Sequence, residues 1–199
     1  MSVRIYVEGG FEGNTSNNCR AAFRKFFEKL VRPGSFSVIA SGSRANAFRN
    51  FSLALRQHKG DYILLLVDSE TAVTASPWQH LGERETDGWH RPVGASEDQA
   101  HLMVQVMEAW FLADHQLLAD FYGQGFLRRA LPRQSDIEQI AKADVLRALR
   151  RASKSTSKGG YHKTRHGFEL LEQIDPRRVR AASRHAERLF GVLESKTAV

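Results

Sequence analysis

Residues 62–70 read Tyr62-Ile63-Leu64-Leu65-Leu66-Val67-Asp68-Ser69-Glu70, and their pattern decides the fold class. The unbroken aliphatic run from Ile63 to Val67 predicts a strand buried on both faces, as at the centre of a parallel sheet. The run stops abruptly in Asp-Ser-Glu. In an open α/β sheet, ligands bind in the crevice beyond the carboxyl ends of the strands. Asp68 and Glu70 stand two residues apart, so on extended backbone they point the same way. Their oxygens suit a hard divalent cation such as Mg²⁺. Ordinary loop residues, or a cap for the next helix, would account for the same two acids.

Working outward, Val3-Arg4-Ile5-Tyr6-Val7 alternates and ends in Glu8-Gly9-Gly10, a second strand that runs into an acid and glycines. Asn14 to Asn17 offer N-caps for a helix whose apolar face is Ala22, Phe23, Phe26, Phe27 and Leu30, stopped by Pro33-Gly34. Phe36 to Ala40 is a short strand, and Arg44 to His58 a helix with Phe48, Phe51 and Leu55 on its inner side. The β-α-β-α-β order predicts an α/β fold with a mostly parallel sheet flanked by helices. Residues 71–99, with Trp78, Trp89, two prolines and scattered glycines, read as a long loop. His101 to Met107 restores strand alternation, and Glu108 opens a helix through about Phe121. The expected organisation is an α/β core over 1–125 with a helical, basic extension over 126–199 packed on it. In that extension, Asp136 to Arg151 reads as one helix, Ser153 to Gly160 as a cationic loop, and Phe168 to Ile174 as a short helix. Asp175-Pro176 then caps a final helix to about Leu193.

The net charge of +7 is unevenly spread. Residues 1–100 carry 12 Lys/Arg against 11 Asp/Glu, residues 101–199 carry 17 against 11, and residues 128–166 carry 11 against 3. Such a local excess favours a polyanionic partner such as a nucleic-acid backbone, or else forms a solvated helix face. The single cysteine, Cys19, excludes an internal disulfide framework and a cysteine zinc cage, and its helical position reads as packing. No apolar run is long enough to span a bilayer, and Met1 to Val7 lacks a signal-peptide layout, so a cytoplasmic protein without a membrane partner is expected.

If the strands are parallel, Glu8, Asp68, Glu70 and Glu108 all lie at one edge of the sheet. Carboxylates gathered there repel one another unless a cation or a proton neutralises them. One or two Mg²⁺ or Mn²⁺ ions would do so, and two such ions about 4 Å apart clamp both oxygens of a phosphodiester displacement. Taken singly, Glu108 is explained by its helix dipole and Glu8 by its turn. His162 and His166 share helical spacing, but without a cysteine pair and within a basic stretch they are read as no zinc site. Trp78 and Trp89 are read as loop packing rather than base-stacking platforms, and Trp110 as core support for the site. Gly9-Gly10-Phe11-Glu12-Gly13 lacks the following Lys-Ser/Thr of a nucleotide-binding P-loop.

A strand ending in Glu-Gly, followed by an apolar strand ending in Asp-x-Glu, resembles the Toprim fold of topoisomerases, primases and OLD-type nucleases. Val7-Glu8-Gly9, Val67-Asp68-Ser69-Glu70, Met107-Glu108-Ala109-Trp110-Phe111-Leu112 and Lys158-Gly159-Gly160-Tyr161-His162-Lys163 are together similar to the RloB-like proteins, bacterial Toprim-like domains often encoded beside an AAA or SMC-like ATPase. The resemblance spans about residues 3 to 170. It implies a Mg²⁺-dependent nuclease acting on DNA or RNA, linked to an ATPase in anti-phage defence. By that resemblance Glu8 serves as general acid/base or metal ligand, Asp68 and Glu70 as the acidic pair, and Glu108 as a further ligand. Lys163, or less favourably Lys158, would be the late lysine facing charge on the phosphate. Glu70 departs from the Asp usual at its position, and its longer arm would change the metal geometry. A non-catalytic module that holds a nucleotide, nucleic acid or an ATPase partner in the same crevice is the alternative from a different class. A primase-type nucleotidyl transferase is a third, and nothing in the sequence marks a triphosphate site.

Overall fold

The computed structural model describes residues 2–10 and 14–198, so Phe11, Glu12 and Gly13 of the glycine-rich stretch lie outside the described residues. Four parallel strands, β1 (Val3–Val7), β2 (Phe36–Ala40), β3 (Tyr62–Asp68) and β4 (Ala100–Met103), form one sheet in the order β2-β1-β3-β4. This is the α/β architecture that the aliphatic run predicts. Period-two alternation splits β3 between two cores. Leu64 and Leu66 face one, with Phe23, Phe26 and Phe27 of α1 (Asn14–Glu28). Ile63, Leu65 and Val67 face the other, with Ala47, Phe51 and Ala54 of α2 (Arg44–Gln57). Because both faces are covered by helices, β3 can be apolar throughout.

The order 2-1-3-4 reverses direction between β1 and β3, and the gap at such a switch point is where open α/β sheets bind ligands. The register places Val7 beside Leu66, so Glu8 and Asp68 emerge side by side at that gap. Gly10 packs closely against the first turn of α1. Its φ is +75°, and a Cβ there would stand 2.6 Å from the Ser16 Cα.

Several elements differ from the sequence reading. The stretch read as a loop contains α3 (Pro77–Glu83), capped by Ser76 with proline in its first turn. Both of its tryptophans pack: Trp78 donates to the Ser96 carbonyl at 2.9 Å, and Trp89 stacks on Phe48 of α2 at 4.5 Å. The strand expected over 101–107 ends at Met103, because the chain then turns to bring the Met107 N–H to Asp68. The helix expected from Glu108 is a 3₁₀ segment (Met107–Ala113), followed by α4 (His115–Tyr122), which Asp114 caps. The single helix expected over 136–151 is a 3₁₀ turn (Ile137–Gln139) and α5 (Lys142–Ser153).

After α6 (Phe168–Gln173), the final helix is two, α7 (Pro176–Ala182) and α8 (Arg184–Thr197). Ser183 between them is extended, and its hydroxyl accepts from the Ala186 N–H, so one helix ends where the next is capped. These C-terminal helices complete the α1 core. Phe190 of α8 meets Phe26 and Phe27 edge-on, with centroids 5.6 and 5.7 Å away, and Trp110 stacks on Phe26 at 5.2 Å. Trp110 is fully buried there, and Cys19 is likewise buried. No helix among the described residues is long and apolar enough to cross a membrane.

Candidate metal centre at the carboxyl edge of the sheet

Glu8, Asp68 and Glu70 converge, each offering a carboxylate oxygen within 4.8 Å of the others. Glu8 reaches the group from the end of β1, whose next N–H is still tied to the Leu66 carbonyl at 3.3 Å. Asp68 is the last residue of β3 and is 3% exposed. Glu70 turns back through a left-handed backbone, φ +68°, while its N–H donates to the Gln105 carbonyl at 2.8 Å. A glutamate there carries backbone strain of about 1 kcal/mol or more, of the kind that collects at functional sites.

Each member of the trio faces a basic side chain. Arg44, at the start of α2, donates to Glu8 Oε2 at 3.2 Å and to the Asp68 carbonyl. Its Nη2 donates to Asp87 at 2.6 Å, and Arg84 also holds Asp87, at 2.7 Å. Trp89 lies against the Arg44 guanidinium, 4.9 Å from ring centroid to Cζ. Lys142, the first residue of α5, donates to Glu70 Oε2. Lys163 enters from a single π-helical turn (Lys163–Gly167), with its Nζ 3.9 Å from Asp68 Oδ2 and 3.7 Å from Glu108 Oε1. Arg44, Asp87 and Lys142 were not singled out from sequence. A signal was present for Arg44 and Lys142, since a cation in a first helical turn opposes the helix dipole and needs a compensating anion.

Burial pushes the Asp68 carboxyl up, to about 8. Lys163 pulls it back, the charges of Glu8 and Glu108 push it further up, and the Met107 N–H, 2.7 Å from Oδ1, pulls it down. Desolvation works against the charge on Lys163, but Asp68 and Glu108 outweigh it and hold the ammonium above the usual lysine value.

Glu108 stands apart from the trio. It is fully buried; Oε1 accepts from the Tyr161 hydroxyl at 3.0 Å, and Oε2 has no hydrogen-bond partner among the described residues. Burial, then the Glu108 charge, push the Tyr161 phenol far up, so it stays a donor. Gly167 gives that phenol room, because a Cβ there would stand 3.0 Å from its oxygen. The two lysines expected near the site lie in different places. Lys163 faces the carboxylates, whereas Lys158 lies over the Phe121 ring, 4.7 Å from its centroid. His166 is buried, with Nδ1 bonded to the Tyr122 hydroxyl at 3.1 Å, and it packs rather than facing the trio.

A cleft of about 340 Å³ opens over this edge, with Glu8, Asp68 and Lys163 at its polar end and Met103, Met107 and Phe168 as apolar walls. A family model described as "Domain of unknown function (DUF4276)" matches residues 11–194. The chain belongs to this family. The match takes in Asp68, Glu70, Glu108 and Lys163 and begins just after Glu8. No curated protein and no solved structure matches the chain. The family description assigns no activity, so function rests on the geometry of the cleft.

Proposed function

We propose that this protein is a divalent-cation-dependent phosphodiesterase acting on DNA or RNA, with Glu8, Asp68 and Glu70 as the ligands of a Mg²⁺ or Mn²⁺ ion. One observation carries the reading: three carboxylates from two adjacent parallel strands meet within 4.8 Å at the switch point of the sheet, beside an open cleft. An all-oxygen, three-carboxylate donor set fits a hard divalent cation. Such an ion supplies Lewis acidity toward a phosphodiester oxygen and toward water.

The chain's own groups do the rest. Lys163, 56% exposed, presents its ammonium to the cleft, where it faces negative charge developing on a phosphate. Thr15 in the first turn of α1 also borders the cleft, and the positive end of that helix favours an anion. Arg44 holds Glu8 through the Asp87 network and fixes its direction. Beyond the cleft, α5 exposes Arg150 and Arg151, and the 3₁₀ turn Arg128–Ala130, tied to α5 by a 2.8 Å bond from Leu127 N–H to the Ala152 carbonyl, exposes Arg128 and Arg129. A nucleic-acid backbone is held by such arginines in a salt-dependent way.

The resemblance of the motif set to RloB-like and OLD-type Toprim proteins supports the same reading and extends it to an ATPase partner and a role in anti-phage defence. The test is cleavage of labelled single- and double-stranded DNA and RNA with Mg²⁺, Mn²⁺ or EDTA, alone and with candidate ATPases, comparing wild type with Asp68→Asn. Cleavage that needs the cation and disappears in the variant is expected. Binding of nucleic acid that is equal with and without Mg²⁺, with no cleavage of any substrate, would replace the enzyme by a binding module.

A further inference from the structure

The four carboxylates do not form two equivalent cation sites. Three of them share one position, and the fourth, Glu108, accepts from Tyr161 and faces Lys163 at 3.7 Å. We infer that this is a one-cation centre in which the Lys163 ammonium supplies the second positive charge, with Glu108 and Tyr161 as the positioning residues that hold it there. The inference rests on the cation reading above.

The geometry around Lys163 points this way. Its Nζ stands 3.9 Å from Asp68 Oδ2 and 3.7 Å from Glu108 Oε1, beyond hydrogen-bond reach of both, so it is committed to neither. If Glu8, Asp68 and Glu70 held a cation, the Lys163 ammonium would be disfavoured beside Asp68 and favoured beside Glu108. Glu108 is prepared for this. Its Oε1 is fixed by the Tyr161 hydroxyl at 3.0 Å, and its fully buried Oε2 has no partner among the described residues. A buried carboxylate with an unsatisfied oxygen is costly, and an ammonium drawn up to Glu108 would offset part of that cost. Tyr161 is itself seated by its N–H, which donates to Ser153 Oγ at 2.7 Å, and Gly167 leaves space for the phenol. Lys163 therefore has a fixed acceptor on one side and the open cleft on the other, so its charge sits beside the cation site.

The test is calorimetric titration of Mn²⁺ into the full chain, with Mn²⁺ electron paramagnetic resonance at saturation. Wild type is expected to bind one ion and to give the spectrum of an isolated Mn²⁺. A paired variant, Lys163→Met with Glu108→Gln, removes an ammonium and a carboxylate together and leaves the net charge unchanged. It should keep one ion within about threefold of wild-type affinity, where loss of a true ligand costs at least about tenfold. Lys163→Met alone should bind Mn²⁺ more tightly while cleavage falls, a split that a merely structural lysine would not produce. Two ions in wild type, a spin-coupled spectrum, weaker binding in Lys163→Met, or a tenfold loss in the pair would each overturn the inference while leaving the cation reading standing. No ion bound by wild type would overturn both.

Discussion

Two glutamates are buried among the described residues, and they are treated in opposite ways. Glu138, 4% exposed, lies at the junction of α7 and α8, where every contact closes on it. Oε1 accepts from the Ser183 hydroxyl at 2.6 Å and the His185 N–H at 2.9 Å, and Oε2 pairs with His185 Nδ1 at 2.9 Å and Arg184 at 3.4 Å. Glu108, at the carboxyl edge of the sheet, keeps one oxygen unpartnered among the described residues and faces an ammonium that touches nothing closely. A buried charge with a complete set of partners holds structure together. One left partly unsatisfied, next to a cleft, is available for chemistry. The same contrast separates Glu138 from Asp68, which accepts from the Met107 N–H but also has the carboxylates of Glu8 and Glu108 as neighbours.

The sharpest break of this comparison is Asp68→Asn. It should remove cation-dependent cleavage by roughly 10³-fold or more while leaving the protein folded, as a catalytic-group deletion does. Parallel assays of cleavage and of thermal unfolding check it, and an unfolded variant would place Asp68 with Glu138 as a structural acid. Next in size, Glu138→Ala should destabilise the fold by about 3 kcal/mol, because it strips the Ser183 and His185 donors of their acceptor. Urea unfolding measures that loss. Cation binding per folded molecule should not change.

The two acids should also give opposite pH responses. Burial alone would raise Glu138, but hydrogen bonds from His185 and Ser183 outweigh it and hold the group below its usual 4.5. The unfolded chain then takes up the proton first, so this contribution is present above pH 4.5 and is lost as pH falls through the depressed value. Asp68 is raised from 3.8 to about 8, so between those values the folded state keeps a proton that the unfolded chain has released. Stability of the ion-free protein should therefore decline as pH rises across that window, and Asp68→Asn should flatten the decline. Because a cation must displace that proton, its affinity should climb by up to about tenfold per pH unit and level off near pH 8. Unfolding and calorimetry as a function of pH test both signs; an affinity independent of pH would remove Asp68 from the ligand set. The smallest effect expected is Lys158→Ala, which loses only a surface contact with Phe121, about 0.5–1 kcal/mol, and should not alter cleavage. A large loss of activity there would reverse the assignment of the late lysine.

Much of this was legible along the chain. The aliphatic run Ile63–Val67, the strand Val3–Val7 and the two amphipathic helices between them are local patterns, and local patterns announce parallel strands with covered faces. Because the strands are parallel, acids written just after them must share one edge, which is why Glu8, Asp68, Glu70 and Glu108 were readable as a group, and only the distances set Glu108 apart from the other three. The breaks in the C-terminal helices were not readable. Ser183 and Asp114 are ordinary within a helical period, and only their capping contacts show that a helix restarts there.

The sequence by itself determined the sheet, its direction and the edge where charge collects, because side-chain periodicity and strand order follow from neighbouring residues. The partners of each charge were decided only by the tertiary structure. Arg44 and Lys142 meet Glu8 and Glu70 across gaps of 36 and 72 residues, and Tyr161 meets Glu108 across 53. Electrostatic pairing depends on distance and burial in space, and neither is written in the order of residues.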